Sequence, residues 1–165
     1  MDQPSTVAHS VLSPYKWDGH AWASAPLGQA TTDEPLTNLR FATFNILADC
    51  FPWFVELATA SAERFAALCA EVEKLDATIL TLNEVTPTSL SALLATQFVR
   101  ENYHVTELPD NPNGTIKPHG CVILSKVPFL ECYAIDQGSK GPMSGRRPVV
   151  GVFSIVGQRV ALCSL

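Results

Sequence analysis

Thr78-Ile79-Leu80-Thr81-Leu82-Asn83-Glu84 is an apolar, partly β-branched run that ends on a lone carboxylate. Thr78 to Leu82 has the length and composition of a buried strand. A charge at the end of such a strand is costly unless it is paired or metal-bound. Upstream, Leu39 to Asn45 is a second strand, and its Phe41-Ala42-Thr43-Phe44-Asn45 segment ends on a lone amide. Between the two, Phe65, Leu68, Cys69, Val72 and Leu75 recur at three- and four-residue steps, with Glu63, Arg64, Glu71, Glu73 and Lys74 largely opposite. That spacing predicts an amphipathic helix over Ser61 to Leu75. Two buried strands that deliver Asn45 and Glu84 to one edge of a sheet would be the start of a Mg²⁺ phosphoesterase site, because Mg²⁺ takes hard oxygen ligands and often only one or two carboxylates.

Each residue also has a plainer reading. Asn at a strand end most often serves as a turn or cap. Glu84 can be a solvent-facing residue at the start of the next helix, where the helix dipole favours it. That helix begins at Thr86-Pro87-Thr88-Ser89, with hydroxyl caps and Pro in the first turn, and continues along Leu90, Leu93, Leu94, Phe98 and Val99. Beyond Asn102 the pattern turns to strands: Tyr103–Glu107, Cys121–Ser125, Phe129–Ile135, Val149–Val156 and Arg159–Ser164, with a loop over Leu108–Pro118 and a hairpin turn at Val156-Gly157-Gln158-Arg159. A mixed sheet with helices on its outer face follows from this order. Ala48 to Thr59 is ambiguous: Cys50-Phe51-Pro52-Trp53-Phe54 is apolar for a loop, while Pro52 excludes a simple helix interior.

Arg146 and Arg147 lie in a Gly-rich stretch before a strand, where a guanidinium can grip a phosphate bidentately; Arg147 is the candidate, and Arg146 reads as an exposed basic loop residue. His119, just before Gly120, is either a site residue or an ordinary surface or core histidine. Asp49, Asp110 and Asp136 have no partner legible in the sequence. The five cysteines (Cys50, Cys69, Cys121, Cys132, Cys163) have no metal spacing and read as reduced, mostly buried thiols. Neither Cys50 nor Cys69 has the base or electropositive setting a nucleophile needs.

The 165 residues, 47% of them hydrophobic, suffice for one domain with a real core. A net charge of −5 argues against broad electrostatic wrapping of nucleic acid. It leaves room for a DNA or RNA substrate gripped by a local basic cluster and a metal ion. The N-terminus has no basic and apolar leader and the chain has no run of membrane-spanning length, which predicts an intracellular protein of the cytoplasm or nucleus. Residues 1–37, rich in Pro, Ser, Thr, Ala and Gly, read as a loosely structured arm on a domain at 38–165, with Trp17 and Trp22 either docked on it or in loose peptide.

In order, Phe41–Leu47, Ile79–Val85, Gly120-Cys121-Val122-Ile123-Leu124-Ser125-Lys126-Val127-Pro128-Phe129, and Arg147 with the final hairpin resemble the N-terminal half of the endonuclease/exonuclease/phosphatase superfamily, the DNase I-like fold. The resemblance implies part of a four-layer α/β sandwich that stops before its second half. It implies Mg²⁺- or Mn²⁺-dependent cleavage of phosphoesters, with Glu84 as the main metal ligand of this half and Asn45 beside the metal and phosphate. Asn83 departs from the family's usual Gln and keeps an amide. The family's first His, its Asp-x-Asn segment and its late Asp-His pair would all follow Leu165. The piece alone is therefore expected to be catalytically dead and poorly folded, with the second sheet missing and an apolar face open to association. The spacing from Val122 through Arg147 resembles the 5′-tyrosyl-DNA phosphodiesterase branch, and Asn45-Ile46-Leu47-Ala48-Asp49 resembles the poly(A) deadenylase branch, the nocturnin type. These residues do not separate the sphingomyelinase and inositol-phosphatase branches from them. A non-catalytic binding member of the fold, and a plain α/β interaction domain in which Asn45 and Glu84 are ordinary strand-end residues, are the rival readings.

Overall fold

A computed structural model describes residues 8–28, 38–47, 61–136 and 147–165, with side chains from residue 63 in the third segment. The ambiguous Ala48–Thr59 segment, with Asp49 and Cys50, lies outside the described residues, and so does Arg146. The strands are β1 (His9–Val11), β2 (Tyr15–Trp17), β3 (Trp22–Ser24), β4 (Phe41–Asn45), β5 (Ile79–Val85), β6 (His104–Val105), β7 (Gly120–Ser125), β8 (Glu131–Ile135), β9 (Val149–Ile155) and β10 (Gln158–Ser164). The helices are α1 (Ser61–Leu75), α2 (Pro87–Ala95) and α3 (Gln97–Asn102).

These strands form two sheets. One has six strands in the order β3-β2-β6-β7-β5-β4, the other four in the order β1-β8-β9-β10. β4 and β5 pair in parallel, Asn45 opposite Asn83, which is the geometry a helical connection permits. β5 and β7 alternate between two cores. Leu80, Leu82, Val122 and Leu124 pack with Val72 of α1, with Leu90, Leu93 and Leu94 of α2 and with Val99 of α3. Ile79, Cys121 and Ile123 point the other way, against Phe129, Cys132, Val149, Phe153 and Ile155. All six residues of β7 are buried because it is covered on both faces. The described residues thus make three layers: helices, six-stranded sheet, four-stranded sheet.

Two expectations change here. The second sheet is not missing: the β8–β9–β10 meander leaves the first sheet after Ser125 and packs over it, so the inner face is in large part covered. Nor are residues 8–28 a loose lead-in, since they supply β1, β2 and β3. Three-residue strands carry too little alternation to be read from composition. β1 is held by pairing with β8, β2 by pairing with β6 and β3 by pairing with β2, and Leu12 and Leu27 pack partly buried against one core and Tyr15 and Trp22 against the other. Trp17 and Trp22 meet edge to face at 5.9 Å, and the Arg100 guanidinium lies 4.4 Å over Trp17. The helical stripe predicted from Thr86 to Val99 is two helices, because Thr96, in extended conformation, ends α2 and caps α3 through its side chain.

Candidate active site

The two strand ends meet. The side-chain amide of Asn45 donates to Glu84 Oε1 at 3.0 Å, and its own Oδ1 accepts the Leu47 N–H at 2.9 Å. Strand alternation alone would not put both side chains on one face. Phe41, Thr43 and Asn45 share a face with Ile79, Thr81 and Asn83, and strict alternation would send Glu84 to the helix side with Leu80 and Leu82. A bulge intervenes: β5 advances from Leu82 to Val85 while β7 moves only from Val122 to Gly120. The extra residue re-aims Glu84, which adopts a left-handed backbone with φ of 58°. Leu47 has φ of 57°, so both strand ends carry non-glycine residues in a conformation that costs of order 1–3 kcal/mol each. Such strain persists where the surrounding pairing over-determines it, and here the parallel β4–β5 ladder does so.

The cleft at this edge has a volume of about 80 Å³, room for more than one water-sized group. Asn45, Asn83 and Glu84 line it from one side, His119, Gly120 and Cys121 from the start of β7, and Leu165 from the end of β10. Ser164 Oγ lies 2.6 Å from Asn83 Oδ1 and 3.2 Å from the Leu82 carbonyl, so the second sheet is hydrogen-bonded to the first directly behind the site. Asn45 is exposed, Asn83 and Glu84 half-buried and Cys121 buried. Three oxygen-bearing side chains around a small open cleft match what a hard cation uses: one carboxylate, amide groups, and space for water and phosphate oxygens. Among the described residues there is no cluster of three or more His, Cys, Asp or Glu side chains placed to hold a metal by themselves.

The structure does not bring Arg147 into this cleft. Its guanidinium is ion-paired to Asp136 at 2.7 Å and donates to Ser10 Oγ at 2.6 Å, and that hydroxyl also contacts Asp136 at 3.2 Å. Asp136 therefore has partners that the sequence did not reveal. Asn83 and Cys121, which line the cleft, and Ser164, which holds Asn83 from behind, were missed in the sequence, and His119 was read with an ordinary role at least as open to it. The signal for Asn83 was a polar side chain on the same face as Ile79 and Thr81; Ser164 could be found only from the sheet pairing.

A helix layer on a mixed sheet packed against a second sheet, with an Asn–Glu pair at the carboxyl ends of two parallel strands, defines the DNase I-like fold class. A sequence model of the endonuclease/exonuclease/phosphatase family matches residues 42–161, and the chain belongs to that family. Among solved structures it is similar to TDP2 of D. rerio, both in a form humanized by 14 mutations (TM-score 0.55, 18% identity, 76% of this chain and 45% of that one) and complexed with a single strand DNA product (TM-score 0.55, 19% identity, 76% and 44%). It is also similar to an endonuclease/exonuclease/phosphatase family protein from Leptotrichia buccalis (TM-score 0.53, 12% identity, 78% and 53%). The chain spans about half the length of these structures. No curated protein sequence matches it.

Proposed function

We propose that this chain carries the metal-holding part of a Mg²⁺- or Mn²⁺-dependent phosphoesterase that hydrolyses a nucleic-acid-linked phosphodiester, in the manner of a 5′-tyrosyl-DNA phosphodiesterase. The observation that carries the reading is the Asn45–Glu84 pair, 3.0 Å apart in a cleft at the ends of adjacent parallel strands. Glu84 would hold the cation through its carboxylate. The cation, when bound, would polarise a phosphoryl oxygen and offset the charge that develops on it. Asn45 holds the Glu84 carboxylate in place, and its own orientation is fixed by the Leu47 amide. Asn83, tied to Ser164, keeps the wall of the cleft at a constant distance from the second sheet. Its similarity to a TDP2 complexed with single strand DNA product supports a nucleic-acid end as the substrate class.

The test is Mn²⁺ binding to the chain, followed by water-proton relaxation, together with turnover of a 5′-tyrosyl oligonucleotide and of poly(A) by the full-length protein. Glu84→Ala is expected to abolish saturable Mn²⁺ binding and to lower metal-dependent turnover about 100-fold or more, roughly 2.7 kcal/mol of transition-state stabilisation. Equal binding and turnover in the variant would end the proposal. Turnover of poly(A) alone would move the substrate to the deadenylase type.

A further inference from the structure

We infer that His119 is a substrate-contacting residue of this cleft, donating a ring N–H to a phosphate oxygen of the bound nucleic-acid end; this rests on the phosphoesterase reading above. His119 lines the cleft from the start of β7, together with Asn45 and Glu84 from the other strand ends, and is half-buried. It makes no hydrogen bond or ion pair among the described residues. Its position is nevertheless fixed with care by the loop that carries it.

That loop runs from Thr106 to His119 and folds around a buried carboxylate. Glu107, 1% exposed, accepts from the Leu108 amide at 3.0 Å, the Asn111 side-chain amide at 2.7 Å, and Thr115 through its backbone amide at 2.7 Å and its hydroxyl at 3.3 Å. A carboxylate so surrounded sets the loop's path without a cation. Ile116, 4% exposed, pins the return of the loop into the core beneath the helices. Two glycines let backbone pass where a side chain would not fit. A Cβ on Gly114 would stand 2.8 Å from Glu107 Oε2, and one on Gly120 would stand 2.7 Å from the Thr115 carbonyl and 2.9 Å from Ile116 Cγ2. The loop therefore reaches β7 along a tightly packed path and brings an imidazole, without a hydrogen-bond partner among the described residues, to a cleft whose other polar side chains are those of Asn45, Asn83 and Glu84. A carboxylate and two amides suit a cation. A neutral imidazole always carries one N–H and an imidazolium two, so the added group suits an anionic oxygen. A cation on one side and an N–H donor on the other is the arrangement that a phosphate group fills.

The experiment measures binding of fluorescein-labelled single-stranded DNA, with a 5′-phosphate or a 5′-hydroxyl, by fluorescence anisotropy in the presence of Mn²⁺. It compares the wild-type chain with His119→Ala, His119→Asn, His119→Gln and Glu84→Ala. His119→Ala is expected to weaken the 5′-phosphorylated strand about tenfold and to leave the 5′-hydroxyl strand unchanged. It should leave Mn²⁺ affinity unchanged as well. One of the amide variants should restore the loss, since Asn and Gln present a donor near the positions of the two ring nitrogens. Three results would overturn the inference. The first is unchanged binding in His119→Ala. The second is an equal loss for both strands together with a lowered melting temperature, which would make His119 a part of the loop's structure only. The third is a wild type that does not distinguish the two strands and behaves like Glu84→Ala, in which case the phosphoesterase reading falls first and takes this one with it.

Discussion

Asn45 is exposed, yet its side chain is spoken for twice, by the Glu84 carboxylate and by the Leu47 amide. Replacing it with Ala removes one hydrogen bond from an open site and so should move stability by less than about 1 kcal/mol. It also removes the group that orients the proposed metal ligand, a change of the kind that costs roughly 10- to 100-fold in metal affinity or activity. Asn45→Ala should therefore melt within a few degrees of wild type while metal-dependent turnover falls by that factor; parity of turnover would sever Asn45 from the site. His104 shows a different kind of residue-scale coupling. It is buried beside Ser125, and burial holds its imidazole below the ordinary value of 6.5, with the positive charge of Lys16 on the neighbouring strand adding to the shift and the Ser125 carbonyl opposing it. Because the folded value is depressed, the unfolded chain binds more protons once pH falls below about 6.5. Stability is full above that pH and declines as pH drops toward the folded value. Urea midpoints at pH 8, 6.5 and 5 should show this decline, and His104→Gln should flatten it. An equal slope in His104→Gln would assign the pH dependence elsewhere.

At the scale of elements, β9 has one tight point. Gly151 pairs with Cys132 on one side and Leu162 on the other, and a Cβ there would lie 2.8 Å from both Phe129 Cε1 and Phe153 Cζ. Those rings sit 4.9 Å apart and are 1% and 0% exposed, so neither can yield without disturbing the inter-sheet core. Gly151→Ala should cost about 1–3 kcal/mol, an overpacking penalty, read as a melting-temperature drop of roughly 2–4 °C per kcal/mol for a chain of this size. A neutral or stabilising result would mean that the two sheets separate more easily than the packing implies. The elements whose periodicity is long were legible from the amino-acid order: α1 with its five-residue stripe, β4, β5, and the β9–β10 hairpin turned by Val156 and Gly157 at positive φ. What was not legible depends on partners. Thr96 breaks a stripe whose spacing continues unbroken from Leu94 to Phe98, and only its extended backbone shows that two caps share one residue. The bulge at Asn83 and Glu84 is a property of the β5–β7 register, so the sequence could place Asn45 and Glu84 at strand ends but could not aim them at each other.

At the scale of the molecule, residues 8–28, within the segment that composition marked as an arm, extend both sheets. β1 pairs with the outer edge of β8, and β2 with that of β6, with β3 beyond it; among the described residues β1 and β3 end the sheets on this side and β4 and β10 on the other. Along that side Phe41, 52% exposed, Thr43, Thr81 and Leu162 line an open apolar groove. The added strands are held on β8 and β6 by few residues. Leu12, Leu27, Tyr15 and Trp22 are only partly buried, and the Arg147–Asp136–Ser10 network ties β1 to the ends of β8 and β9. At half burial each of the four side chains contributes on the order of 1 kcal/mol. Together with the lost strand pairing this makes about 5 kcal/mol, comparable to the whole net stability of a small domain. Removing residues 1–28 should accordingly unfold most of the chain at 37 °C, or leave a form that elutes as oligomers through the newly bared edges of β8 and β6. Circular dichroism melting with size-exclusion chromatography distinguishes these outcomes from a third: a truncated chain that stays monomeric and melts with the full one. That result would return residues 8–28 to the role of an appended arm, whereas loss of folding would show that the two-sheet architecture needs them.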